Sequence, residues 1–581
     1  MLFNISKQKS SAFIKLFVTL AIVFVPTFLN MLSLEASVNL MFVISSVVFL
    51  MHIKANERLN ISFGHIIYMA IIAFGVISLI WVNNRSGQFA YIFAVALTGI
   101  FGSVFKEYFS ESNDNSFKRR VTYLFSVSGT ICAFYNFVYW ITEIVPVAGN
   151  TPFCKGLGTG DFLGIFCAVS LFCTLSLFKG NSKFRKVLFV VAAGLQVFCF
   201  VMAKSTVAWV FAIAFSALFL LKKRSENKNN SRYFMQMIAI VFAYIMALLI
   251  ILFNSENGKI FGEVCSYAGN NLLGAGGGFL SGSGTFSESS ALQSYGVGLF
   301  PFLFASSGLL GIIACLLLVI RSVLFFLKNK TMESALGLVA VVSLLFLPFG
   351  NCLGNVLLVV GINTYNEYCF NSGSALGLNK KQLKNTTTAG VILVILISAA
   401  TVLSFIEMNV NSAYKSKNYS KAYELSKIVT SIDAFDSDCN KIAAASIRND
   451  KFLFANKKSE ALALINDAIG NDCDNIDNYE EKAKIYYACG EYESAAAQYR
   501  IIVSKTVAKD KYNLALANVL FKIVEENEKG SSETKRAYEE IVEIAQLTED
   551  LDVKEKIMDV ADKALVYTKG ELSSEGEIVE E

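Results

Sequence analysis

The chain has 581 residues, 54% apolar and only 17% charged, with a mean hydropathy of +0.50, against roughly 45–50% and about 25% for soluble globular chains. Its net charge of +4 hides a division: residues 1–410 hold 28 Lys+Arg and 14 Asp+Glu, whereas 411–581 hold 23 and 33. These figures exclude a single soluble domain, a small disulfide-framed protein and a disordered chain, and point to a polytopic membrane body with a polar C-terminal domain.

A helix crossing about 30 Å of hydrocarbon needs about 20 mostly apolar residues. Such runs lie near 13–31, 37–53, 64–83, 86–105, 121–142, 161–178, 187–203, 205–221, 234–253, 297–320, 335–350 and 388–406. A shorter, more polar run at 352–364 is either a thirteenth crossing or a half-membrane element. The first run is not a cleaved signal peptide, because eleven more follow and no small-residue cleavage site closes it. The expected fold is all-α: a membrane bundle of 12–13 spans over 1–410, a helical-repeat solenoid over 411–570 and an acidic disordered tail at 571–581.

Lys and Arg in short loops orient the bundle. With the N-terminus inside, the clusters at 118–120, 183–186 and 222–224 all fall on the cytoplasmic side, with Lys54, Arg58, Arg321, Lys328 and Lys330. Up to residue 300 only Arg85, Lys155, Lys204 and Lys259 fall outside. Placing Lys380, Lys381 and Lys384 inside requires the stretch from 352 to cross. The last span then carries the C-terminal domain out of the cell. The expected location is the cytoplasmic membrane.

The twelve cysteines mostly lie in or beside spans, with no CxxC pair and no Cys/His cluster of metal spacing, so they read as small buried apolar residues. No metal, cofactor or nucleic-acid partner is expected.

From residue 412 the pattern turns to amphipathic helices with charged faces and no Pro. Tyr479, Ala483, Tyr486, Gly490, Tyr492, Ala495 and Tyr499 are spaced as helix, tight turn and helix, with small residues for close approach and a Gly to end the first helix. This segment resembles a tetratricopeptide repeat, whose period is about 34 residues. Ala461 lies 34 positions before Ala495, Ala422 a further 39 before, and Ala537 lies 42 after. Three to five degenerate repeats are expected. They form either a concave surface for a protein partner or an array that caps the membrane body.

The long outer loop at 254–296 is rich in glycine, including Gly274, Gly276, Gly277 and Gly278. It suits close backbone approach to a ligand, or simply a mobile connection. A nucleotide P-loop is excluded because no Gly-Lys-Ser/Thr follows.

Three places resemble the O-antigen ligase and polymerase superfamily: Gly156–Leu171, Phe200–Leu221, and Asn270–Phe279 followed by Ser306–Ile313. The second is similar to that family's Ser-Arg-Gly-Ala-Trp span start. The resemblance covers roughly 120–350. It implies a glycosyltransferase working outside the membrane, without metal or nucleotide sugar, on a glycan carried by a polyprenyl pyrophosphate. Its partners are then that lipid-linked donor, membrane lipids and, through the repeats, a protein. Two positions depart from the family. Thr206 stands at the motif Arg, with Lys204 two residues earlier, and the loop His has no counterpart near Val297 or Gly298.

The leaving pyrophosphate needs a cation and the acceptor hydroxyl needs a base or orienting group. Four outer-face residues are singled out: Lys204, Arg85, Asp161 and Glu288. Each has a plainer role: snorkelling for Lys204, a solvated turn for Arg85, a helix cap for Asp161, a helix-end charge for Glu288. Glu288, Gln293 or Asp161 replaces the missing His, or the chemistry is absent. The rival readings are an inactive scaffold that recruits partners through its repeats and a lipid-glycan transporter.

Overall fold

A computed structural model of the chain describes residues 7–24, 34–61, 63–82, 84–110, 115–144, 160–178, 183–224, 231–254, 256–276, 298–347, 374–506 and 509–568. The expected crossing at 352–364, Glu288 and the acidic tail lie outside them. The chain divides into two compact units. The first comprises Met1–Val82, Gly87–Phe279 and Ser290–Phe405; the second comprises Asn83–Ser86, Leu280–Ser289 and Ile406–Glu581.

The helices falling in the first unit are α1 (Lys7–Phe24), α2 (Leu34–Asn56), α3 (Phe63–Ser78), all but the first two residues of α4 (Arg85–Ser110), α5 (Asn115–Tyr139), α6 (Gly160–Ser176), α7 (Lys183–Met202), α8 (Thr206–Arg224), α9 (Ser231–Phe253), α10 (Glu256–Asn270), α11 (Leu299–Asn329), α12 (Met332–Phe346) and the start of α13 (Lys380–Lys415). Each of the twelve apolar runs overlaps a helix among the described residues. Six helices among the described residues are long and apolar enough to cross a membrane by length and composition, and five shorter apolar helices accompany them. Helix is the expected state for such runs, because hydrocarbon leaves no partner for an unpaired peptide group. The outer loop expected at 254–296 is not all loop: its first part is α10, an amphipathic helix.

Small and polar residues hold this unit together where apolar ones would slide. The Gln196 amide of α7 donates to the Ser126 carbonyl at 3.2 Å and to the Thr130 hydroxyl at 3.2 Å, both on α5. Its carbonyl accepts from Thr174 of α6 at 3.0 Å. Beside it a Cβ on Gly129 would sit 2.1 Å from the Ser170 Cβ, so only glycine permits that approach. One short ladder interrupts the helices: β1 (Arg58–Ile61) pairs antiparallel with β2 (Ser374–Gly377), Arg58 facing Gly377. It places the start of α13 at the same end of the unit as the end of α2.

In the second unit the last residues of α13 lead into α14 (Tyr419–Ile432), α15 (Ser437–Asn449), α16 (Lys451–Asn471), α17 (Ile476–Cys489), α18 (Tyr492–Lys505), α19 (Lys509–Glu526), α20 (Ser532–Leu547) and α21 (Leu551–Thr568). From α14 onward each helix packs on the next; α15 also touches α17, and α19 touches α21. The starts are capped by side chains of Asn418, Asp436, Asp450, Asn475 and Ser531, and Gly490 ends α17 in the left-handed region at φ 80. Ala461, Ala483, Ala495 and Ala496 are fully buried at the contacts. Two bidentate pairs tie distant helices, Arg448 to Glu481 at 2.6 and 3.1 Å and Arg500 to Glu540 at 2.7 and 2.8 Å.

Candidate functional site

The corner between α7 and α8 is built by three residues in sequence. Ala203 and Lys204 close α7 with bonds to the carbonyls of Cys199 (2.9 Å) and Val201 (3.2 Å). Lys204 then takes φ 49, a left-handed conformation uncommon for a residue with a side chain. That reversal lets Ser205 cap α8: its hydroxyl oxygen accepts the Ala208 amide at 2.9 Å.

The start of α6 lies against this corner. The Ser205 hydroxyl donates to Asp161 Oδ1 at 2.5 Å. Gly160 and Gly164 make the approach possible. A Cβ on Gly160 would come within 2.9 Å of the Ala203 carbonyl oxygen, and one on Gly164 within 2.5 Å of the Ala208 Cβ. Asp161 is partly buried, whereas Lys204 is exposed. Lys204 makes no ion pair among the described residues. The corner therefore offers a carboxylate oriented by a hydroxyl and, next in sequence to that hydroxyl, an exposed ammonium.

Of the four residues singled out from sequence, Asp161 and Lys204 meet in this corner. Arg85 belongs to the second unit, where its guanidinium sits 5.3 Å above the Phe435 ring. Glu288 lies outside the described residues. Ser205, which links the two motifs, was not among the four; its place directly before an apolar run was the available signal.

A second feature of the first unit escaped sequence reasoning. Within α11, Gly308 adopts φ 58 and ψ −137 and breaks the helix. The segment after α10 threads its backbone into the break. Ala275 donates to the Ala305 carbonyl at 2.7 Å, Gly276 to that of Ser306 at 3.1 Å, and Leu309 to that of Leu272 at 3.1 Å. Around it, the Trp81 indole donates to the Gly274 carbonyl at 3.2 Å, and the Tyr91 and Ser307 hydroxyls bond at 2.7 Å. Such non-helical backbone in an apolar body is tolerated where protein supplies the missing partners.

No protein family, no curated protein and no solved structure matches the chain.

Proposed function

We propose that the chain is an envelope-polysaccharide glycosyltransferase of the O-antigen ligase and polymerase type, acting on the outer side of the cytoplasmic membrane. The observation that carries this reading is the Asp161–Ser205–Lys204 corner, where two of the three resembling segments meet. The exposed Lys204 ammonium receives the pyrophosphate of a polyprenyl-linked glycan. Asp161, oriented by Ser205, takes the proton of the acceptor hydroxyl. The acceptor oxygen bonds to the anomeric carbon as the bond from that carbon to the pyrophosphate oxygen breaks, and the leaving group departs with its electron pair beside Lys204.

The β1–β2 ladder supports the orientation. It sets the head of α13 at the end that carries Lys54, the cytoplasmic end by loop charge. Residues 388–406 then cross outward, and the helices from α14 onward lie outside. We read those helices as a degenerate tetratricopeptide-like solenoid. Support comes from their short turns, the contacts between alternate helices and the buried alanines.

One observation favours the scaffold reading. The only histidines, His52 and His65, lie on α2 and α3 on either side of β1, the end that loop charge places inside. The test is turnover: purified protein in vesicles with a lipid-linked glycan and an acceptor should release polyprenyl pyrophosphate. Binding of the donor without release would favour the scaffold.

A further inference from the structure

We propose that the paired starts of α5 and α7 form a binding site for an acidic phospholipid. The placement follows from two contacts between these helices. The Gln196 amide reaches the Thr130 hydroxyl, and the Cys199 thiol reaches the Ala133 carbonyl at 3.2 Å. In both pairs the sequence separation is 66. A constant separation means that the helices run parallel. Carried toward their starts, the same offset sets Arg185 level with Arg119 and Lys186 level with Arg120.

Five exposed cations thus gather at one level: Arg119, Arg120, Lys183, Arg185 and Lys186. Neither helix has an acidic residue in its first turn. None of the five makes an ion pair among the described residues. Exposed like charges gathered at one level raise the local positive potential and attract an anion. What lies beyond them identifies its kind. Phe184 is 74% exposed, and Val187, Leu188 and Val191 continue the exposed stripe up the same face of α7. Both helices are among those apolar enough to cross a membrane. A ligand matching this surface is anionic at one end and aliphatic at the other. Its phosphate lies among the arginines and its acyl chains along the α7 stripe, which selects a membrane lipid over free phosphate. The site is independent of the proposed transferase activity.

The test compares the full-length protein in nanodiscs of phosphatidylcholine alone and of phosphatidylcholine with phosphatidylglycerol. Phosphatidylglycerol should raise the melting temperature of the wild type and remain bound in native mass spectra. The variant R119Q/R120Q/R185Q/K186Q should lose most of that shift and that retention. A control that removes four charges elsewhere, K328Q/K380Q/K381Q/K384Q, should keep both. Equal loss in the control would reduce the effect to overall charge and overturn the site. Equal stabilisation by inorganic phosphate in detergent would overturn the lipid as its ligand. Should the fourfold variant fail to accumulate, R119Q/R120Q and R185Q/K186Q are scored for retained lipid class, and unchanged preference in both rejects the proposal.

Discussion

At the scale of single residues, Lys204 carries the sharpest prediction. A charge contact to a leaving group is worth about 10²–10³ in rate. Lys204→Ala should therefore abolish nearly all transfer, and Lys204→Arg should keep part of it. Because Lys204 sits at φ 49, Lys204→Gly relaxes the backbone while removing the ammonium. Loss of activity in the glycine variant, at wild-type membrane levels, isolates the charge from the fold. Lys259→Ala should leave activity nearly unchanged. If Lys204→Ala and wild type transfer glycan equally, Lys204 leaves the site and the scaffold reading leads. In the second unit the corresponding single-residue test is Ala495, which has no exposed surface. Ala495→Trp overfills that contact and should cost ~1–3 kcal/mol or more, read as a lower unfolding midpoint.

At the scale of elements, the helices were legible because apolarity and length favour them, and each apolar run overlaps one among the described residues, six of them long and apolar enough to cross a membrane. The break in α11 was not. Its signal, Ser306–Ser307–Gly308, looks like ordinary small-residue helix packing until the 271–276 segment is seen entering it. A Cβ at Gly308 would lie 2.0 Å from the Leu272 carbonyl oxygen. Gly308→Ala should thus cost about 1–3 kcal/mol from backbone strain alone, with the collision added. The expected result is poor accumulation or an aggregated elution profile, whereas Ser307→Ala keeps the backbone route. The corner at Lys204 was half legible: each motif was visible, but Asp161 and Ser205 are separated by 44 positions and nothing local announces their bond. The charged helices offer a pH test. At Glu460 burial opposes the charge, but the Tyr423 hydroxyl and the Lys427 ammonium outweigh it and hold its pKa below the usual range. Its contribution is therefore present above the ordinary glutamate value of about 4.3 and fades as pH falls through the lower folded value. Tyr423→Phe should flatten the fall of the unfolding midpoint below about pH 4.3; an unchanged acid profile would remove this cluster from the stability balance.

At the scale of the whole molecule, the proposed sidedness rests on one small element that no periodicity predicts. Four residues at 58–61 and four at 374–377 are too short and too far apart in sequence to announce a ladder, yet their pairing ties the start of α13 to the end of α2. The Leu378 amide extends the tie by donating to the Glu57 carbonyl at 3.0 Å. Lys54 precedes one strand and Arg58 opens it, and Lys380, Lys381 and Lys384 follow the other, so one end of the unit gathers both sets of cations. Basic loops stay inside. Helix α13 then continues without interruption from Lys380 to Lys415, and its apolar middle is long enough to span a bilayer once. The C-terminal helices should accordingly face outward. In a chain whose Cys439, Cys473 and Cys489 are replaced by serine, a cysteine at exposed Lys451 should react with a membrane-impermeant maleimide on intact cells. A cysteine at Lys381 should react only after lysis. The reverse pattern would place the helical unit in the cytoplasm and remove the outward-facing partner surface from the proposed function.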